Sequence, residues 1–410
     1  MFGGQAWIVA TGAVAALTLA GCTASSQGGG SRADAPTTST GSSAPRTSSA
    51  APRSSSAAPA ASVTIGPVTM AMNPTTPIVA RIVGGKLSRV AVTNTVSGVR
   101  VTGAFHQGGT SWSSSEPLGY GKAYRVSVAA VDSAGKPQQR TRVLRTLKPR
   151  AQAFPSLIPP PSVQDVGVGQ PIVVRFDHPV TNKIAVQKRL QVRAAPAQSG
   201  AWYWISASEV HYRPATYWKP GTTVNLQVRV YGVDIGGGVY GETDRELTFR
   251  VHDAWVAKAD GAAKTMQIVR NGALVKTMPI SLGTTKNPTH IGTHVISERS
   301  PWVIMDSSTF GVAKGQPGYY REKVYLDERI SNDGEFVHAA PWSTGSQGLS
   351  NVSHGCVNLS VANAQWFYAH FNLGDVVEVT NSGGDTLPLY DTYGDWAVPW
   401  SAWSMGNANS

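Results

Sequence analysis

Ser353-His354-Gly355-Cys356-Val357-Asn358, with Phe336-Val337-His338-Ala339-Ala340 upstream of it, sets two imidazoles and one thiol in short register. A thiol is a useful nucleophile only once ionised, and its reference pKa of about 8.5 means that a base or a positive environment must stand near it. His354 lies two residues before Cys356, and on a strand such positions share a face. Gly355 between them also permits a sharper turn, in which the backbone amides of 354–356 converge on an oxyanion. His338 precedes the cysteine by 18 positions and follows a turn sequence, Asn332-Asp333-Gly334, so its strand is placed to run beside the loop that carries the thiol. The plainer readings stand alongside. A lone cysteine is commonly a buried small hydrophobe, and a lone histidine a satisfied core or surface residue. Zinc is disfavoured and no metal is assigned, because a structural site wants four ligands and no second cysteine or close carboxylate completes one here.

The second of the two cysteines is Cys22, which closes Leu19-Ala20-Gly21-Cys22 after an apolar run. That run is shorter than the roughly 20 apolar residues that span a bilayer, and it ends in small residues as a cleaved signal does. Residues 1–22 therefore read as a bacterial lipoprotein signal with Cys22 as the lipidation site, although no Lys or Arg precedes the apolar run. An uncleaved anchor and plain secretion are the alternatives. On the lipoprotein reading the chain is held to the membrane by its lipid and faces the cell wall, and on every reading it is expected outside the cytoplasm. Cys356 is then the one cysteine of the exported part. An unpaired thiol in an oxidising compartment is a liability unless it is buried or working.

At 410 residues the chain exceeds one ordinary domain. Its formal net charge of +11 favours anionic neighbours. The basic residues are scattered, with no basic run interleaved with aromatics, which argues against nucleic acid as a partner. Residues 23–62 are almost entirely Ser, Thr, Ala, Pro and Gly, a composition that cannot offset its own chain entropy by burial and reads as a disordered tether. From 63 to 251 short alternating segments such as Tyr124-Arg-Val-Ser-Val and Val224-Asn-Leu-Gln-Val predict strands. Leu118–Val128 resembles Tyr217–Val228, a repeat of about 100 residues and so the size of one β-sandwich. Two immunoglobulin-like modules are placed at 63–149 and 150–251, with Pro149, Pro155 and Pro159-Pro160-Pro161 at the joint, and are read as spacers. Residues 252–380 change character: strands with an Asn271-Gly272 hairpin turn, then one helix capped by Ser360 and stopped by Gly374. Residues 381–410 form an extension whose Trp396, Trp400 and Trp403 suit packing against a domain surface. The expected fold is mostly β: two immunoglobulin-like β-sandwich modules, then a mainly-β catalytic domain with one or two short helices.

The Ser353–Asn358 string, with His338 sixteen residues before His354, resembles the signature of the L,D-transpeptidase family, and the domain order resembles that family's actinobacterial type. The resemblance implies Cys356 as nucleophile and His338 as base, with His354 beside them in the catalytic set. It implies backbone donors from His354, Gly355 and Cys356 for the oxyanion, helped by the Tyr320 hydroxyl. It also implies that Asn358 orders the loop or contacts substrate, as would Met305, Asp333, Gly334 and Trp342. No cofactor is implied. The reaction would be ping-pong acyl transfer between peptidoglycan stem peptides, giving 3→3 cross-links, and carbapenems would be covalent inhibitors. Two positions depart from the family pattern: Ala339 stands where Ser often follows the base histidine, and Phe310 where an aromatic hydroxyl is common. An L,D-carboxypeptidase, an enzyme attaching protein amines to peptidoglycan, and a wall-binding structural lipoprotein with an inactive site remain the competing readings.

Overall fold

The structure, a computed structural model, describes residues 60–310 and 312–409. The signal, Cys22 and residues 23–59 lie outside the described residues.

Strand Ala123–Asp132 buries every second residue, Tyr124, Val126, Val128 and Ala130, which is how a strand with one face on a core must read. It pairs antiparallel with Gly85–Asn94 on one side and Pro137–Arg145 on the other. A second four-stranded sheet, built on Ser62–Gly66, Val79–Val83, Ser111–Ser114 and Gly103–His106, contributes Ile65, Ala80 and Trp112 to the same core. The pattern recurs downstream. Strand Thr223–Val228 lies between Leu190–Ala195 and Arg245–Val251, and a partner sheet centred on Ile172–Phe176 and Glu209–Pro214 closes over Val174, Trp218, Leu226 and Phe249. The repeat seen in the sequence has a physical counterpart here. Gly121 and Gly221 sit in the turns entering the two equivalent strands, at φ 63° and 79°, a backbone region open to glycine at no steric cost.

The last domain packs two sheets around one helix. One sheet runs, in spatial order, Ala273–Pro279, Thr265–Arg270, Trp255–Asp260, Val376–Thr380, Gly292–Val295, and the other Glu298–Asp306, Arg321–Arg329, Phe336–Ala339, Val357–Leu359. Asn271 and Gly272, both at positive φ (49° and 86°), turn the Thr265–Arg270 and Ala273–Pro279 hairpin as a type I′ turn requires. Helix Val361–His370 starts where Ser360 Oγ accepts the Asn363 N–H at 3.3 Å, a side-chain N-cap. Its Ala364 and Phe367 join Val337, Val357, Leu359 and Ile268 in the core.

The helix ends at His370, four residues before Gly374. Gly374 therefore serves a close approach and does not stop the helix as the sequence suggested. The Gly167 N–H donates to Leu373 O at 2.8 Å and the Gly169 N–H to Gly374 O at 2.9 Å, joining the second sandwich to the last domain. A Cβ on Gly374, at φ 85°, would meet the Gly167 nitrogen at 2.7 Å.

The C-terminal extension crosses back onto the second sandwich. There Arg213, 2% exposed, donates to the carbonyl oxygens of Asp395 and Val398 and lies 4.7, 5.6 and 4.5 Å from the rings of Trp396, Trp400 and Trp403. A desolvated guanidinium among three indoles is a strong cation–π arrangement. Trp403 is fully buried, stacks on Tyr203 and donates to Ala201 O at 2.9 Å. Trp403→Ala is expected to cost about 3–5 kcal/mol. Thermal unfolding checks this, and an unchanged midpoint would mean that the extension does not hold the domains together.

Candidate active site

Strands Phe336–Ala339 and Val357–Leu359 pair in parallel, with His338 opposite Asn358. Because side chains alternate across a strand, Val337, Ala339, Val357 and Leu359 all face the core and His338 and Asn358 face away from it. Cys356, two residues before Asn358, shares a cleft of about 270 Å³ with His338, Asn358, Met305, Glu322, Trp342 and His354. Met305 and Glu322 sit opposite each other in the hairpin Glu298–Asp306 and Arg321–Arg329 that walls this cleft. A second cleft of about 710 Å³, lined among others by Lys286, His290, Asp333, Gly334 and Glu335, meets the first at Tyr320, His354 and Cys356. The sulfur is thus the junction of two openings.

His338 is 3% exposed, and its Nδ1 lies 2.9 Å from the carbonyl oxygen of Ala339. A carbonyl only accepts, so Nδ1 carries the proton and Nε2 keeps its lone pair in the neutral ring. The orientation that a hydroxyl at 339 would supply comes here from the backbone of the alanine. Burial lowers the His338 pKa to about 4, opposed by the Ala339 carbonyl. The Cys356 thiol donates to Gly334 O at 3.7 Å. Burial pushes its pKa up to about 12, the backbone N–H of Phe336 opposing and the Glu335 carboxyl adding to the rise. The resting pair is therefore a neutral thiol beside a neutral imidazole, not a preformed thiolate.

The loop carrying the thiol is held from both sides. The Gly355 N–H donates to Ser353 Oγ at 3.1 Å, and Ser353 Oγ donates in turn to Cys356 O at 2.6 Å. Thr289 Oγ1 donates to Gly355 O at 2.7 Å. Gly355 takes φ 126°. The Gly355 N–H, which the resemblance implies as an oxyanion donor, is engaged by Ser353 Oγ in this structure, and the residue shapes the turn. His354 is exposed, with its ring 5.0 Å from that of Tyr320. Burial raises the Tyr320 pKa, keeping the hydroxyl a donor, and the Cys356 sulfur adds to the effect. Asn358 donates to Ser343 Oγ at 3.1 Å, so its amide orders the loop. Trp342, 57% exposed, has its ring 5.9 Å from that of His338. Asp333 stands in the second cleft, 2.9 Å from His290 Nε2.

Two residues that the sequence reading left out belong here: Thr289, which clamps the thiol loop, and Glu335, whose buried carboxyl lies against Gly355. Pro288-Thr289-His290 carries no pattern that separates it from a polar turn, and both contacts join segments distant in sequence. No group of three or more His, Cys, Asp or Glu among the described residues is arranged to hold a metal ion.

Residues 254–379 match the family model described as the L,D-transpeptidase catalytic domain, and residues 69–234 match one described as a bacterial Ig domain. L,D-transpeptidase 2 of Mycobacterium tuberculosis (strain CDC 1551 / Oshkosh) is 40% identical over 334 residues, spanning 82% of this chain and 81% of the relative. The chain belongs to the L,D-transpeptidase family. L,D-transpeptidase 5 of Mycobacterium tuberculosis (strain ATCC 25618 / H37Rv) is 34% identical over 346 residues, 80% of this chain and 73% of that one. A solved structure of an L,D-transpeptidase in complex with imipenem superimposes with a TM-score of 0.50 at 34% identity, covering 57% of this chain and all of the other. As an L,D-transpeptidase the chain is an acyltransferase, and among its described residues the one thiol stands in the catalytic domain.

Proposed function

We propose that this L,D-transpeptidase forms 3→3 cross-links in peptidoglycan with Cys356 as acyl carrier and His338 as base. The observation that carries the proposal is the strand pair that puts Cys356 and His338 in one cleft, with a second cleft opening at the same sulfur. His338 Nε2 takes the thiol proton as Sγ attacks the carbonyl carbon of the third residue of a tetrapeptide stem. The oxyanion is met by Tyr320 and the loop backbone. Collapse breaks the amide bond, His338 returns the proton to the departing amine, and D-alanine leaves. The thioester is then attacked by the side-chain amine of a diamino acid on a neighbouring stem, whose proton passes to His338 and on to the sulfur as it leaves.

Leaving and attacking amines both exchange a proton with the same imidazole, so by microscopic reversibility both occupy the cleft lined by His338. The retained acyl chain then lies in the larger cleft beside Lys286 and His290. Carbapenems, which place a strained carbonyl at the same point, acylate Cys356; the imipenem complex of the related structure supports this. Cys22 anchors the enzyme by lipid to the outer face of the membrane, a reading supported by Leu19-Ala20-Gly21-Cys22. Incubation with a disaccharide-tetrapeptide tests the reaction. A 3→3 dimer is expected, whereas tripeptide alone would mean a carboxypeptidase and no change would sink the enzyme reading.

The base works only while neutral. With the His338 pKa lowered to about 4, its neutral fraction is complete above about pH 5 and is lost as pH falls through 4. Acylation by a carbapenem, followed by stopped-flow fluorescence, is therefore expected to show no protonation limb at pH 6–7. A limb there, at the ordinary histidine value, would contradict the buried neutral base.

A further inference from the structure

Glu335 is 6% exposed, and its side chain lies against Gly355 of the thiol loop. A Cβ placed on Gly355 would touch Glu335 Cγ and Oε1, each at 3.4 Å. Oε1 accepts the His290 N–H at 2.8 Å. Oε2 is buried, makes no hydrogen bond, and lies 3.9 Å from His294 Nδ1. The residue before it, Gly334, supplies the carbonyl that accepts the Cys356 thiol. A carboxylate oxygen buried without a donor is costly, whereas a neutral acid in the same place is not.

We propose that Glu335 is a positioning residue: its uncharged carboxyl supports the Gly355 turn, and its ionisation opposes loss of the Cys356 proton. The inference rests on Cys356 being the nucleophile. The groups facing the carboxyl are His290 and His294 from the segment before strand Glu298–Asp306, Asp333 from its own turn, Asp391 from the C-terminal extension, and Cys356. Asp327 and Arg329, from strand Arg321–Arg329, act on the same sulfur with opposite signs. Burial pushes the Glu335 pKa up to about 8, the His290 N–H and ring opposing, Asp333 and Asp391 adding. Burial is the largest single influence on the His290 pKa and lowers it, but Asp333, Glu335 and the Asp385 carbonyl together raise it on balance, so His290 is a cation able to offset a Glu335 charge. Below pH 8 the acid is uncharged and leaves the thiol free to ionise on demand. Above it, a negative charge forms in the lining of the cleft that the sulfur shares and resists a second one.

The test is the pH profile of Cys356 alkylation by iodoacetamide on the full chain, which needs no stem peptide and so fails or succeeds independently of the cross-linking reaction. The wild-type log rate is expected to rise with pH and bend to a shallower slope near 8. In Glu335→Gln the bend disappears, the two rates agreeing at pH 6 and separating about tenfold by pH 9.5, the factor given by about 1.4 kcal/mol of like-charge repulsion. Glu335→Met, which also cannot ionise but loses the acceptor for the His290 N–H, is likewise expected to show no bend near 8. A straight wild-type profile would overturn the proposal on its own, as would a rate ratio between variant and wild type that is constant across pH, the mark of a purely structural role.

Discussion

Cys356→Ala is expected to lose about 10⁶-fold in turnover, the scale on which removal of a covalent nucleophile leaves only binding and polarisation behind. The loss falls on the chemical step alone. Cys356 is 8% exposed and alanine fills most of its volume, so the fold should be retained within about 1–2 kcal/mol. Stem peptides should still bind in the clefts with nearly unchanged affinity, because Tyr320, Trp342 and Asn358 keep their places. Turnover and binding measured on the same preparation check this. A variant that still forms cross-links at more than about one thousandth of the wild-type rate would remove Cys356 from the chemistry.

His338→Gln follows at about 10²–10⁴-fold, the usual contribution of a positioned general base. Its pH profile is the sharper diagnostic. Without an internal base the thiol must give its proton to solvent, and burial holds the Cys356 pKa at about 12. The variant's acylation rate should then climb about tenfold per pH unit from pH 6 to about 7.5, since the thiolate fraction does, and more slowly above that, where Glu335 ionises. The wild type is expected to show a much weaker slope over that range. Equal slopes in both would mean that His338 does not take the proton.

Much of this site was legible because its chemistry is local. His354, Gly355 and Cys356 are consecutive, Ser360 caps the helix that follows, and Asn271-Gly272 makes its own turn. The repeat joining Gly121 to Gly221 likewise survives into the structure, because a turn at positive φ selects glycine wherever it occurs. What sequence did not display are contacts made by folding. Strand Trp255–Asp260 pairs in parallel with Val376–Thr380, and nothing in either strand names the other. Arg213 reads as a surface cation on an alternating strand, yet it is enclosed by three tryptophans from the far end of the chain. Glu335 follows a turn and has the composition of an exposed position, but the His290 segment folds over it. The bond from the Gly355 amide to the Ser353 hydroxyl was hidden for a related reason: it depends on the turn that the loop adopts on folding.

The covalent intermediate is the most direct point at which to measure. Wild-type protein would be mixed with a disaccharide-tetrapeptide whose diamino-acid side-chain amine is acetylated, so that it can donate but not accept, quenched in acid to preserve the thioester, digested and mapped by mass spectrometry. A disaccharide-tripeptide acyl group on the peptide bearing Cys356, discharged when a diamino-acid stem is added before the quench, is the predicted result. Cross-linked product accumulating while Cys356 remains unmodified at every time point would contradict it.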